Sequence, residues 1–534
     1  MIRARTALGG MVTAPHHLAA EAGRSVLAEG GNAVEAMVAA AAAIAVVYPH
    51  MNAIGGDGFW LIAEPGQAPV AIRACGAAAA RATEGFYAEA GHTGSLPTRG
   101  PLAALTVAGA VGGWAAALRV AEDWRGSRPA LPLSRLLDDA IRHGRDGVPV
   151  TSSQAALTAQ KLGELAGQPG FATVYAPDGH PPALHQILKQ PALAATFQRL
   201  AEAGLDDFYR GDIARANAAG LEAAGSPLSL ADMEAWHPAV VAPLTLRIPG
   251  ATVWNQPPPT QGAASLAILG IFDRLGVTVA EGFDHVHGLV EATKRAFLLR
   301  NAHIGDPGAM TADPQSWLTP EALAAEAAHI DRQRAAPWPQ PARAGDTVWL
   351  GAADATGRVV SYIQSIYWEF GSGVVVPETG VLWQNRGSGF GLGAAAGANR
   401  LAPGRLPFHT LNPAMARLDD GRLIAYGTMG GEGQPQTQAA VFTRHVRFGQ
   451  DIQAAITAPR WLLGRTWGAG TTSLKLESRI DPILADQLAA AGHAVEMVDA
   501  WDDLMGHAGA VSVHPSGVIE GASDPRSDGA VAAV

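Results

Sequence analysis

One position reads as a latent nucleophile, a threonine at the point where a loop becomes a strand. In "ARAGDTVWLGAADATGRVVSYIQSIYW", residues 342–368, a segment rich in Pro, Ala and Arg ends at Asp346 and an alternating apolar pattern begins at Thr347. An internal threonine is a poor nucleophile, because nothing on its own residue takes the hydroxyl proton. Breaking the Asp346–Thr347 bond would give Thr347 a free α-amine with a pKa of about 8, a base attached to the nucleophile itself. The same hydroxyl can make the cut, attacking the Asp346 carbonyl to form an ester that water opens, and the loop gives the new end slack to withdraw. On composition alone an ordinary strand-start threonine is the simpler reading.

Other reactive residue types make weaker cases. Cys75 is the single cysteine, so no intramolecular disulfide forms. It has no recognisable partner motif, and small buried cysteines are commonly structural. His285 and His287 stand two apart on a helical pattern and point to different sides, so they do not read as a metal pair. His287 and Glu291 lie one turn apart and read as packing. "GGDGF" has no phosphate-loop lysine, and "GSGFGLG" does not follow the strand, Gly-rich turn and helix of a dinucleotide fold. No cofactor and no metal are expected.

A hairpin must position Thr347. Asp354 and Arg358 flank a three-residue loop ending in Gly357, the position that often adopts a left-handed conformation. Pairing them and walking back sets Thr347 opposite Ser365, with Cβ atoms about 4.5–5.5 Å apart. Period-two alternation puts Trp349 on the face of Thr347, and Ile363 and Tyr367 on that of Ser365; a bulge at Gly357 would shift this by one.

Further upstream, "GGNAVEAMVAAAAAIAVVYP" is a helix with Asn32 as cap, Glu35 completing a capping box and Pro49 as stop. The middle third is dominated by helical patterns. "FDHVHGLVEATKRAFLLRNAHIGDP" is a helix with Asp284 as cap and Pro307 as stop. Residues 386–404, nearly all Gly and Ala, read either as a mobile surface loop or as a lid over a site.

Composition narrows the function. The chain has 534 residues, 48% hydrophobic and 16% charged, ample for a large core. Its net charge of −10, with no long basic run, argues against nucleic acid and anionic membranes. The longest apolar run, residues 36–48, is shorter than the ~20 residues of a membrane span. With no apolar stretch behind the first arginines and one cysteine, the expectation is a soluble, cytoplasmic protein.

Several stretches together are highly specific: "MVTAPHHLAAEAGRSVLAEGGNAVEAMVAAA", "AIGGDGFWLI", "VAGAVGGWAAAL", "QPPPTQGAASLAILGIF", "LVEATKRAFLLRNAHIGDP", "FGSGVVVPETGVLWQN", "GTMGGEGQPQ" and "GASDPRS". Over almost its whole length the chain resembles the γ-glutamyltranspeptidase family of N-terminal-nucleophile hydrolases. The resemblance implies an α/β, four-layer αββα sandwich with the nucleophile at the sheet edge. It also implies a proenzyme that cleaves itself into a large subunit, 1–346, and a small one, 347–534, a heterodimer that can pair to a heterotetramer. Thr347 takes the nucleophile position, Ser365 that of the threonine that orients it, and Gly430 and Gly431 the paired glycines of the oxyanion hole.

The substrate-reading positions depart from the family. Glu84 stands where a carboxylate-gripping arginine is expected, with Arg81 or Arg73 as substitutes. Tyr367 replaces an asparagine, Arg386 a glutamine, and Gly389 the aspartate that holds an α-ammonium. His409 and Thr410 replace paired serines. The resemblance then implies amides of a short carboxylate-bearing acid without an α-amine, as in the glutaryl-type cephalosporin acylase and oxamate amidohydrolase branch, with Tyr367 and Trp349 narrowing the acyl pocket. The alternatives are ordinary γ-glutamyl transfer with glutathione, and an uncleaved, silent relative that binds a metabolite.

Overall fold

In the computed structural model, which describes residues 3–125, 129–340, 345–464 and 471–534, Thr347 enters the strand Asp346–Asp354, which turns back as Val359–Tyr367. The turn is as expected: Gly357 has φ of +83°, and the Asp354 amide donates to the Arg358 carbonyl at 3.1 Å. Asp354 Oδ1 accepts from the Thr356 and Arg358 amides, and its Oδ2 accepts from the Ala33 amide at 3.1 Å. One carboxylate thus closes the hairpin and supports the first turn of a distant helix. That helix, Ala33–Val47, carries the expected capping box of Asn32 and Glu35 and is buried along its whole length.

The hairpin lies inside a seven-stranded antiparallel sheet. The order is Ala530–Ala533, Gly10–Ala14, Asp346–Asp354, Val359–Tyr367, Asp57–Ala63, Val70–Ala74 and Ala239–Val241. Thr347 is therefore at the end of an interior strand, third of seven, and not on an edge strand as expected. Central placement follows from composition, since every residue of Val359–Tyr367 and of Asp57–Ala63 is buried. A second antiparallel sheet runs Arg5–Ala7, Ile519–Ser523, Ala508–Val513, Leu423–Thr428, Ala414–Leu418, Ala251–Asn255 and Leu244–Ile248.

Alternation along these strands builds the layers. Val348, Leu350 and Ala352 face helices His17–Ala28 and Ala33–Val47. Trp349, Ala353, Val359 and Ile363 face the other sheet, meeting Met415, Ala425 and Val511. That sheet turns Val253, Ala416 and Ile424 outward onto helices Gly262–Arg274, Phe283–His303 and Gly433–Phe442. The result is the αββα sandwich.

Two local expectations fail. Asp284 lies in the first turn of its helix while Gly282 is the cap, and the helix stops at His303, before Pro307. Trp349 does not reach the acyl pocket: its indole donates to Ser361 Oγ at 2.9 Å and fills the space left by Gly427, where a Cβ would fall 2.2 Å from the ring.

Candidate active site

The ladder between the two hairpin strands breaks at Thr347. Val348 pairs with Gln364 but Asp346 pairs with Tyr367, so Thr347 stands against two residues, Ser365 and Ile366. The bulge lies here and not at Gly357. Bulges bend a strand and re-aim its side chains, and this one has a marked backbone consequence. Tyr367 has φ of +83°, unusual for a residue with a bulky side chain, and its amide donates to Ser365 Oγ at 2.8 Å. Thr347 and Ser365 are both buried. The Gln434 side-chain amide donates to Thr347 Oγ1 at 3.5 Å.

Gly430 and Gly431, with φ of +115° and +51°, form the turn before helix Gly433–Phe442. These backbone conformations favour glycine. The turn is tightly held. Gly430 O accepts from the Gly433 amide at 2.7 Å, and Gly431 O accepts from Gln261 Nε2 at 2.8 Å. The other Gln261 amide proton goes to Thr410 O at 2.7 Å, and its Oε1 accepts from Arg300. Arg300 also donates to Glu432 at 2.8 Å. Gly345, two residues before Thr347, lies against this turn: a Cβ on Gly431 would fall 2.9 Å from the Gly345 backbone, and one on Gly345 3.2 Å from Thr410 Oγ1. The continuous chain thus occupies the space in front of the paired glycines. Of the linker, residues 341–344 lie outside the described residues.

Arg386 is the dominant charge nearby. It is 1% exposed, lies 3.7 Å from the centre of the Tyr367 ring, and donates to Phe408 O at 3.4 Å and Thr410 Oγ1 at 3.3 Å. Among the described residues no carboxylate comes within ion-pair distance of it. Burial lowers its pKa to about 10, which leaves it charged at neutral pH. Close to it is Asp57, the acidic residue of "GGDGF", to which the sequence pattern attaches no role. Asp57 Oδ1 accepts from the Gly76 and Gly109 amides and from Gln384. Burial pushes the Asp57 carboxyl up to about 7, against the pull of Gln384, Arg386 and the two amides. His409 Nε2 lies 3.2 Å from Asp57 Oδ2, outside hydrogen-bond geometry; burial, then Arg386, drives the imidazole well below its usual range. The contact is therefore not an ion pair.

A cavity of about 450 Å³ is lined by Arg300, Tyr367, Trp368, Gly389, Phe390 and Phe408, so two of the residues that Arg386 contacts, Tyr367 and Phe408, also face it. A Cβ at Gly389 would stand 3.8 Å from Tyr367 Oη. The Gly/Ala-rich segment covers this cavity as two short helical turns, Arg386–Gly389 and Ala394–Asn399. Glu84 binds that cover. Its carboxylate accepts from the Gly393 amide at 2.7 Å and pairs with Arg400 at 2.8 Å, and these bonds, Arg400 foremost, hold its pKa down to about 2. It does not line the cavity. Arg81 is exposed against Glu222, and among the described residues the Arg73 guanidinium donates to Pro258 O alone, at 3.4 Å.

The other reactive groups fall elsewhere. Cys75 is buried, and burial pushes its thiol well up. His285 bonds Thr443, while His287 bonds His493 at 2.9 Å and the Asp331 carbonyl at 2.8 Å. His287, His493 and Glu291 make a cluster of metal-ligand types, but Lys294 Nζ sits 2.6 Å from Glu291 and supplies the cation such a site would need. Gln434 follows Gly431 by three residues and marked no role by itself; Gln261 and Arg300 are distant in sequence, and only the folded chain brings them to the glycine turn.

Comparison with known proteins adds three findings. Residues 19–534 match the family model described as gamma-glutamyltranspeptidase. The chain is 55% identical to the oxamate amidohydrolase proenzyme of Klebsiella pneumoniae over 98% of both chains, and 37% identical to the glutathione hydrolase-like YwrD proenzyme of Bacillus subtilis, again over 98% of both. Its structure resembles that of a cephalosporin acylase from Bacillus halodurans, with a TM-score of 0.91 and 32% identity, covering 100% of this chain and 97% of that one.

Proposed function

Since the chain belongs to the gamma-glutamyltranspeptidase family, we propose that Thr347 is the nucleophile of a self-cleaving amidohydrolase that prefers amides of short acids bearing a carboxylate and no α-amine, oxamate among them. That the chain is an amide-bond hydrolase of the N-terminal-nucleophile type, made as a proenzyme, rests on its relatives as a group. The substrate rests on one observation: a buried Arg386 without a carboxylate partner among the described residues, beside a glycine where an amine-binding aspartate would stand. The name of the Klebsiella relative supports the same reading.

The chemistry follows from the geometry. Thr347 Oγ attacks the Asp346 carbonyl, the Thr347 amine leaves, and water opens the ester. This produces an Asp346 carboxylate and a free α-amine, and the withdrawn end clears the space held by Gly345. In turnover the α-amine takes the Oγ proton as Oγ attacks the substrate carbonyl. The Gly430 and Gly431 amides receive the developing oxyanion, a contribution of roughly 3–4 kcal/mol per donor. Arg386 holds the substrate carboxylate, with Tyr367, Thr410 and His409 around it. With oxamate, ammonia leaves carrying the proton, and water then releases oxalate from Thr347.

Residues 1–346 and 347–534 are then the two subunits, which can pair further to a heterotetramer. Among the described residues no helix is long and apolar enough to cross a membrane; the single buried cysteine supports a cytoplasmic location, which fractionation would check.

A denaturing gel with N-terminal sequencing tests the cut. Sharing 55.0 kDa in the ratio 346 to 188 gives fragments of about 36 and 19 kDa, the smaller beginning at Thr347. Thr347→Ala should leave a folded single chain with no activity; a persistent single band in the unaltered protein would mean a silent binder. Substrate choice is read from kcat/KM for glutaryl- and γ-glutamyl-p-nitroanilide, with ammonia release from oxamate alongside. A preference for the γ-glutamyl compound would return the protein to glutathione chemistry.

A further inference from the structure

The turn that carries the paired glycines also delivers a donor to the nucleophile's own oxygen. Gln434 is the second residue of helix Gly433–Phe442 and is fully buried. Its backbone amide points at Gly431 O, 3.3 Å away, so its position is tied to the glycine turn. Its side-chain orientation is also determined: Oε1 accepts from the Asn412 amide at 3.2 Å, so Nε2 is the atom that faces Thr347 Oγ1, at 3.5 Å. The contact is long, but here Thr347 is still tethered through Asp346. Catalytic hydrogen bonds are commonly loose before the reactive complex forms.

We propose that Gln434 is a catalytic residue that donates to Thr347 Oγ throughout the reaction, and whose main effect is on breakdown of the acyl-enzyme. This rests on Thr347 being the nucleophile. Before attack, the Nε2–H bond occupies one Oγ lone pair, leaving the hydroxyl proton free to go to the α-amine and the other lone pair for the carbonyl carbon. During deacylation water adds to the ester carbon, the oxyanion collapses, and the carbon–Oγ bond breaks with the electron pair going to Oγ. Charge then builds on the atom Gln434 faces, while the proton from the attacking water returns to Oγ through the α-amine. A donor aimed at a developing charge acts most where the charge is largest. In acylation the same bond works against itself, because it stabilises the oxygen but weakens it as a nucleophile.

The test is Gln434→Leu in the full-length processed enzyme, with glutaryl-p-nitroanilide. The expected result is a fall in kcat of about tenfold or more, with kcat/KM within about threefold. A burst of p-nitroaniline should approach one per active site, and the small fragment should be heavier by one glutaryl group on intact mass. A merely structural role would lower kcat/KM with no burst. Gln434→Glu serves if the leucine variant does not fold: it keeps the bond to the Asn412 amide but replaces the donor by a carboxylate. It should also accumulate acyl-enzyme and should move the acid limb of the pH profile upward, because a nearby negative charge favours the protonated α-amine. A processed Gln434 variant with unchanged kcat and no burst overturns the inference alone. Activity in Thr347→Ala would overturn the nucleophile assignment and the inference with it.

Discussion

The Arg386 guanidinium carbon lies over Tyr367, 3.7 Å from the ring centre, and Tyr367 is the residue paired with Asp346 across the bulge at Thr347. One local irregularity therefore places both Thr347 and the ring over which the buried Arg386 guanidinium rests. Ser365 holds the arrangement by accepting from the Tyr367 amide. The guanidinium is a planar fork that can meet a carboxylate through two parallel bonds, which an ammonium cannot reproduce.

Arg386→Met should lower kcat/KM for oxamate by about 10- to 150-fold, the range for losing a hydrogen bond to a charged group at about 1.5–3 kcal/mol. Arg386→Lys should recover only part of this. An uncharged amide of similar size should be affected little by either change. Steady-state kinetics on the two substrates decides, and an equal loss on both would mean that Arg386 only supports the fold.

Asp57 predicts a pH dependence of stability. In the folded chain its carboxyl holds a proton up to about pH 7, whereas an exposed aspartate releases it near 4. Between those values the folded state binds more protons than the unfolded one. The contribution of Asp57 is therefore complete below about pH 4 and is lost as pH rises through 7. Asp57→Asn keeps an oxygen for the Gly76, Gly109 and Gln384 donors and has no charge to bury. Its Tm should match the parent near pH 4 and exceed it at pH 8. A difference that stays constant across this range would remove the assignment.

Glu84 predicts how the cover over the cavity behaves. It joins the start of helix Glu84–Glu89 to Gly393 and Arg400. Glu84→Gln should leave Tm nearly unchanged, since the pair is solvent-exposed. Proteolysis within 390–404 should become faster and KM for oxamate should rise. Unchanged proteolysis would show that the cover is held by other contacts.

The parts of the site that were legible in the sequence were local. The register from Asp354 to Val348 follows from one turn and period-two alternation, and the helix of Asn32 and Glu35 from its own first turn. The bulge at Thr347 was not legible, because period-two alternation carries no sign of an extra residue in the facing strand; it shows only in the ladder, where Asp346 pairs with Tyr367. Trp349 was assigned to the pocket by parity alone, but the glycines of the facing sheet, Gly427 and Gly509, draw it between the layers. Glu84 held a position tied to substrate, yet its partner Arg400 lies more than 300 residues away. The interior position of the Thr347 strand needed the whole sheet, including Ala530–Ala533 at the far end of the chain.

The strand order also bears on how the protein can be made. If the chain is cut before Thr347, pieces of the two fragments alternate within both sheets. Ladders cross from one fragment to the other at Ala530–Ala533 with Gly10–Ala14, at Gly10–Ala14 with Asp346–Asp354, and at Val359–Tyr367 with Asp57–Ala63. They do so again at Arg5–Ala7 with Ile519–Ser523 and at Ala414–Leu418 with Ala251–Asn255. The precursor can close these ladders as a unimolecular event, whereas the mature fragments, once denatured, must find each other in solution. Scission thus changes the molecularity of folding: the fold is reached as one chain, and its recovery afterwards becomes second-order in protein concentration.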